Sequence, residues 1–298
     1  MNKQIILRAI GRMMSATVGF VFCSNVLFAQ IQYDSEFAVG AGLGCSSFDY
    51  GFLQKTGTSN TSGLGGTLGV SYTRFFSRNI GLSFGLEAGV YNASFTVDAA
   101  RDEYSIATPP GLQGSFLLRA DYSGIEEKHS VVFLQIPLML QFQAPVSGSA
   151  FFYFGAGGKI GIPVSPLYKQ SVKSVITTGY SDYTAQTYQN MPNHGFDSYS
   201  DIQTDGTFKT GIPYMLSLES GIKFGKTGKT PVYTGFYLDY GLNNIQKTSD
   251  SKLLEYNESN PSNPVWRGVV ENASLVNKIK PFALGLKIRV AFGSGKGL

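Results

Sequence analysis

The sequence predicts an all-β protein: an eight-stranded antiparallel transmembrane β-barrel of up-and-down topology with long extracellular loops. Three observations predict it. Eight segments of about ten residues or more alternate apolar side chains with small or polar ones. The connections between them are alternately short and long, the pattern of a barrel with turns on one side of a membrane and loops on the other. The first 29 residues read as an export signal.

The N-terminal segment comes first. Met1 to Met14 carries Lys3, Arg8 and Arg12, Ser15 to Phe28 is mostly apolar, and Ala29 is a small residue before Gln30. A basic start, a short apolar stretch and a small residue make a signal peptide over 1–29, leaving 30–298 as one barrel domain. The apolar stretch falls short of the ~18 residues expected of a spanning helix. Phe22 is too bulky, ahead of Cys23, for lipoprotein processing. Those three basic residues account for most of the +4 formal charge. The remainder is close to neutral and shows no basic stripe, which excludes a nucleic-acid partner held by phosphate contacts. Beyond the signal only Cys45 remains, so no internal disulfide forms.

The strand candidates lie at roughly 36–48, 64–76, 80–97, 129–143, 151–163, 213–224, 232–243 and 279–292. In the third, Ile80, Leu82, Phe84, Leu86, Ala88 and Val90 share one face, and Gly81, Ser83, Gly85, Glu87, Gly89 and Tyr91 share the other. The last segment sets Phe282, Leu284, Leu286, Ile288, Val290 and Phe292 against Ala283, Gly285, Lys287, Arg289 and Ala291. Short turns are expected at 77–79, 144–150 and 225–231, and long loops at 49–63, 98–128, 164–212 and 244–278. An even strand number places both termini on the short-turn, periplasmic side. Ten strands result instead if 164–212 contributes a hairpin within the membrane.

Face polarity decides which kind of barrel this is. A soluble barrel points its apolar residues inward. Here eight continuous apolar faces exceed what a small interior needs, while the opposite faces carry Gly, Ser, Thr and Gln, which suit a cramped lumen. The glycines at 40, 42 and 44 fall at period two inside a strand and act as lumen spacers. They are not a dinucleotide-binding turn, which needs G-x-G-x-x-G opening a helix.

The inner faces also carry charges of both signs: Glu36, Glu87, Glu219 and Asp239 against Lys159, Lys223, Lys287 and Arg289. Buried ions are tolerated only when paired, and eight strands leave an interior filled by side chains. The expectation is a structural ion-pair cluster of Glu87, Lys159, Glu219, Asp239, Lys287 and Arg289 that closes the lumen. A narrow pore would instead conduct, and more so in Glu87→Ala or Lys159→Ala. Aromatics near strand ends (Tyr72, Phe75, Phe76, Phe142, Phe151, Phe152, Phe224, Tyr233 and Phe292) suit a membrane–water interface.

Three stretches carry a family resemblance. The strand Phe133 to Phe142, FLQIPLMLQF, resembles that of the PorT-like (OmpA-like) outer-membrane β-barrel proteins of Bacteroidetes. Tyr233 to Ile245, YTGFYLDYGLNNI, and Lys280 to Phe292, KPFALGLKIRVAF, are similar to the same family. The last also resembles the C-terminal strand read by the barrel-assembly machinery. The resemblance covers the chain beyond the signal and implies a bacterial outer-membrane barrel, with outer-membrane lipid around it, the assembly machinery as partner during insertion, and for some members a place in secretion or assembly complexes. Some members carry a fused peptidoglycan-binding domain like that of OmpA; with six residues after Phe292, none is expected here.

Candidates for chemistry are few. His129 lies beside Ser130 and near Glu126 and Glu127 at the outer end of a strand, and His194 is the other histidine. Resemblance to other small outer-membrane barrels implies, as an alternative, a lipid A-modifying enzyme with His and Ser or Asp at the extracellular rim, but Ser130 and His129 point to opposite faces of a strand. No catalytic, cofactor or metal residues are assigned: the histidines are distant, and Asp98, Asp102 and Glu103, or Asp197, Asp201 and Asp205, read as solvated loop carboxylates rather than a Ca²⁺ site. Function is expected to be non-enzymatic, with protein partners met through the loops or the barrel wall. The loop 164–212 is rich in tyrosine (Tyr168, Tyr180, Tyr183, Tyr188 and Tyr199), which gives contact area at low entropy cost. Residues 257–265, ahead of Trp266, read as mobile.

Overall fold

A computed structural model describes residues 33–53, 57–225, 230–247, 252–272 and 274–295. The signal expected over 1–29 lies outside the described residues. Among the described residues there are twelve strands: β1 (Tyr33–Phe52), β2 (Thr58–Phe75), β3 (Ile80–Ile106), β4 (Phe116–Ser147), β5 (Ala150–Ser181), β6 (Gln186–Tyr188), β7 (Ser198–Thr207), β8 (Tyr214–Phe224), β9 (Val232–Gly241), β10 (Leu254–Glu255), β11 (Val265–Trp266) and β12 (Val276–Gly295). Eight of them form a closed antiparallel ring in the order β1-β2-β3-β4-β5-β8-β9-β12, with β12 returning to β1. No described helix is long and apolar enough to cross a membrane.

The segment 164–212 adds no hairpin to the ring. The long β5 pairs with β8 from Ala150 to Ile160, then with β7 from Leu167 to Ile176, then with β6 from Gly179 to Ser181. β6, β7 and β8 therefore run as one interrupted strand down the same side of β5, and the ring stays at eight. Among them Phe196 packs flat on the chain: a Cβ at Gly179 would lie 2.1 Å from its Cζ.

Three of the expected long loops are strand for much of their length. β1 reaches Phe52 and β2 starts at Thr58, so 49–63 narrows to a five-residue connection at 53–57. The loop expected at 98–128 shrinks to 107–115, because β3 and β4 pair as far as Ile106 and Phe116. The barrel thus projects well beyond its membrane-spanning half.

The wall changes polarity partway up without changing register. On β3 the outward residues run Ile80, Leu82, Phe84, Leu86, Ala88, Val90 and then Asn92, Ser94 and Thr96. The inward ones run Gly81, Ser83, Gly85, Glu87, Gly89 and then Tyr91, Ala93, Phe95 and Val97. β4 switches at the same level, from outward Leu138, Ile136, Leu134 and Val132 to Ser130, Lys128 and Glu126. Below that level the outside is an apolar belt, with Phe84, Leu138, Leu286 and Ile288 more than half exposed. Such a belt around a closed antiparallel ring is the wall of a transmembrane barrel. Above it the barrel has an apolar core and a polar exterior, where Arg101 pairs with Asp121 at 2.6 Å and Glu103 with Arg119 at 2.7 Å.

Two local breaks explain the geometry. The β3–β4 ladder skips Ile136 and Pro137, whose ring has no N–H to give. On β5, Pro163 and Pro166 flank the register shift that marks the polarity change. Three expected interface aromatics turn inward: Phe75 and Tyr233 are buried in the lumen, where Lys223 Nζ lies 5.3 and 5.1 Å from their ring centroids, and half-buried Phe151 has the same Nζ at 5.9 Å. A buried lysine gains from the negative faces of rings that a lipid boundary would otherwise have claimed.

Candidate functional site

The interior is closed at two levels, one ionic and one apolar. The lower level is set by the small inner faces of β1, β2 and β3. A Cβ at Gly40 would meet Arg289 Cγ at 2.7 Å, and one at Gly42 would meet Thr67 Oγ1 at 2.7 Å. At Gly40 the missing side chain makes room for the stem of Arg289, its cross-strand partner on β12.

Those charges meet. Lys159 Nζ lies 2.7 Å from Glu87 Oε1 and 2.9 Å from Asp239 Oδ2. Lys287 Nζ lies 2.5 Å from Glu87 Oε2 and 2.9 Å from Glu219 Oε1, and Arg289 Nη2 is 3.6 Å from Glu219 Oε2. The structure thus brings Glu87, Lys159, Glu219, Asp239, Lys287 and Arg289 into one chain of alternating sign. Every one of the six is buried. Neutral groups complete the bonding: Ser217 Oγ donates to Asp239 at 2.6 Å, Tyr91 OH donates to the same carboxylate at 3.3 Å, and Arg289 Nη2 donates to Gln141 Oε1 at 3.2 Å. Nearer the short turns, Lys223 donates to Glu36 at 2.5 Å, and Tyr233 OH also donates to Glu36. One cavity beside the cluster has a volume of about 30 Å³ and is lined in part by Glu87, Glu219, Lys287 and Arg289. A hydrated ion does not fit it.

The upper level lies within 244–278, expected to be a long loop. Between β9 and β12, residues 252–272 and 274–275 fold into the projecting half of the barrel. Leu253, Leu254, Val269, Val270 and Leu275 are buried there with Tyr50, Phe95, Tyr122, Ile125 and Val172. Two wall carboxylates hold it by its backbone. Glu127 on β4 accepts from Val269 N at 2.6 Å and from Val270 N at 3.4 Å. Asp102 on β3 accepts from Leu253 N at 2.7 Å and from Asn272 Nδ2 at 3.0 Å. Charge-assisted bonds of this kind are stronger than neutral ones. Tyr104 adds a donor to Leu254 O at 2.6 Å, with burial raising its hydroxyl above the ordinary tyrosine range. The stretch 257–265, expected to be mobile, holds turns in which Asn257 Oδ1 accepts from Ser259 N and Asn260 N at 3.1 Å, and ends in β11 at Val265.

The rim cluster around His129 is part of this latch. Its Nδ1 lies 2.5 Å from Tyr50 OH and its Nε2 lies 2.7 Å from Glu127 Oε1. Burial first, and then the charge of Glu127, raise the Tyr50 hydroxyl well above its usual value. A protonated Tyr50 donates to Nδ1, which leaves Nε2–H to donate to Glu127. Ser130 lies on the other face of β4, toward the exterior. Glu127 is fully buried and Gln170 Nε2 donates to it at 2.9 Å. The loop carboxylates do not converge: Asp102 holds the inserted segment, Glu103 pairs with Arg119, and Asp197 accepts from Ser198 N at 2.8 Å. Among the described residues no group of three or more His, Cys, Asp or Glu side chains is placed to hold a metal ion.

No family model and no curated protein matches the chain. Solved structures do. The outer membrane protein OprG from Pseudomonas aeruginosa matches at 16% identity over 88% of this chain and 98% of its own, with a TM-score of 0.35. Neisserial surface protein A matches at 12% identity over 86% and 97%, with a TM-score of 0.33. The outer membrane protein AlkL, solved in lipid bilayers, matches at 14% identity over 92% and 99%, also with a TM-score of 0.33. At those identities and scores the likeness carries no functional weight.

Proposed function

We propose that this chain is a constitutively closed, non-enzymatic barrel of a bacterial outer membrane, and that its projecting half serves as a contact platform in a protein assembly. One observation carries the reading: the interior is sealed twice, by six paired charges in the membrane and by an inserted segment above it. A channel would give up both seals, whereas a platform gains rigidity from them. The finer reading, a member of the PorT-like group of Bacteroidetes with the assembly machinery acting at 280–292, rests on the three sequence stretches that resemble that family.

The non-enzymatic reading is supported by His129. Both ring nitrogens are engaged, the side chain is buried beneath the inserted segment, and Ser130 faces away from it. A general base needs a free nitrogen within hydrogen-bond reach of a proton-bearing partner, and both nitrogens of His129 are already bonded, to Tyr50 and Glu127.

The test is co-purification of the tagged full-length protein from its native outer membrane in mild detergent. A stoichiometric protein partner is the expected result; a lone barrel overturns the platform reading. Recovery outside the outer-membrane fraction overturns the membrane reading. A lipid A mass profile that differs between wild type and His129→Ala would replace both with an enzyme.

A further inference from the structure

Just above the apolar belt, the outer wall of β3, β4 and β5 carries an open cavity of about 330 Å³. Its lining includes Asn92, Ser94, Lys128, Ser130, Leu167 and Lys169. Lys128 and Lys169 are direct cross-strand neighbours, and both are exposed. Like charges set opposite one another in a sheet are destabilising, so this placement needs a compensating charge. The protein supplies little of it. Glu126 pairs with Lys128 at 3.1 Å. Lys169 is in register with Asp205 on β7, yet no ion pair closes between them and Lys169 has no carboxylate within 4 Å among the described residues.

The level of the cavity narrows what can fill it. Immediately below lie the exposed Val164, Ile162 and Leu134 of the belt, and Leu167 at the cavity itself is 46% exposed. Ser94 stands in register with Lys128, and Ser130 with Leu167, so hydroxyl donors border the lysines. Asn92 is committed elsewhere: its Nδ2 donates to Leu64 O at 2.6 Å. An apolar step beneath two cations and two hydroxyls matches an amphiphile whose acyl chains lie on the belt and whose phosphate stands at the headgroup plane. A volume of this size lies in the range of small-molecule sites.

We infer that this wall cavity binds the phosphate of an outer-leaflet glycolipid, with Lys128 and Lys169 clamping the anion and Ser94 and Ser130 bonding its oxygens. The inference rests on the membrane reading above, and it gives the platform a fixed lipid at its base. A free phosphate ion would have no use for Leu167 and the belt below it.

The experiment is a native mass-spectrometric titration of the full-length protein, in neutral maltoside micelles, with bis-phosphorylated lipid A. Wild type is expected to retain one lipid per barrel and to prefer it over the same lipid stripped of phosphate. Lys128→Gln/Lys169→Gln should bind about thirtyfold more weakly, since each lysine near an anionic headgroup contributes about a factor of five. Lys278→Gln, a lysine paired with Asp49 on another part of the wall, should bind as wild type. Equal affinity in the double variant overturns the inference, and so does displacement of the lipid by millimolar inorganic phosphate, which would make this a free-anion site. Fractionation of the same cells separates the two readings: a variant that stays in the outer membrane with unchanged lipid binding sinks only this one.

Discussion

At the scale of single residues, the lumen is governed by the rule that a buried ion needs a partner more than a fold needs the ion. Lys159 bonds Glu87 and Asp239 together, and those two carboxylates come from strands on opposite sides of the barrel. Lys159→Met should destabilise the barrel by about 3–5 kcal/mol, because both carboxylates lose a cation in a dry interior. Urea unfolding from lipid vesicles, read by the heat-dependent gel shift, measures it, and adding Asp239→Asn should recover part of the loss. Equal midpoints for wild type and Lys159→Met would mean that the cluster contributes nothing. The projecting half makes a different prediction. Tyr50, Tyr104 and Tyr122 have hydroxyls raised above the ordinary value of 10.0, mainly by burial. With a folded value above the unfolded one, their contribution is complete below pH ~10 and falls as pH rises through it, because the unfolded chain ionises first. Stability should therefore drop between about pH 10 and 12, and Tyr50→Phe should flatten that slope. A slope unchanged in Tyr50→Phe would remove Tyr50 from the account.

At the scale of elements, alternation was legible wherever the apolar face points to lipid and illegible where it points to a core. The segment 80–97 reads as strand because six apolar residues repeat at period two up to Val90, and the inward Tyr91, Ala93, Phe95 and Val97 keep the period after it. The pattern then loses phase. Val97 and Ala100 both face inward across Asp98 and Ala99, and on the partner strand Tyr122 and Ile125 do so across Gly124, whose φ is +65°. One extra residue on each strand shifts the register of faces, so a reading by fixed period stops at 97 and resumes at 129. The charges at Glu87, Lys159 and Asp239 were legible because a charge on an otherwise small face has nowhere to go but a partner. Asp102 and Glu127 were not, since their partners are backbone N–H groups of Leu253 and Val269, in a segment with no period at all. The polarity switch itself is testable by cysteine scanning on a Cys45→Ser background. Val90→Cys and Val132→Cys should resist a water-soluble maleimide in intact membranes, while Asn92→Cys and Ser130→Cys should react, so that reactivity steps up across two residues on each strand. A gradual rise over many positions would contradict a sharp boundary at this level.

At the scale of the whole molecule, two seals in series behave differently from one. The ionic level fills the membrane half with side chains around a void of about 30 Å³, and the inserted segment fills the half above it. Resistances in series are dominated by whichever seal remains intact. Wild type should therefore be silent in planar bilayers. Glu87→Ala should be silent as well, because Leu253, Val269 and Val270 still occupy the upper half. Replacing 252–272 by a short Gly/Ser linker should also be silent, because Lys159, Asp239, Lys287 and Glu219 still fill the lower half. Only the two changes together open a continuous path, and a ring of eight strands keeps it narrow. The combined variant should then pass small ions in brief, low-conductance events, provided the heat-dependent gel shift shows that it remains folded. Conductance in the wild type, or in Glu87→Ala alone, would mean that the inserted segment does not seal, and the projecting half would have to be read as the vestibule of a pore rather than as a platform.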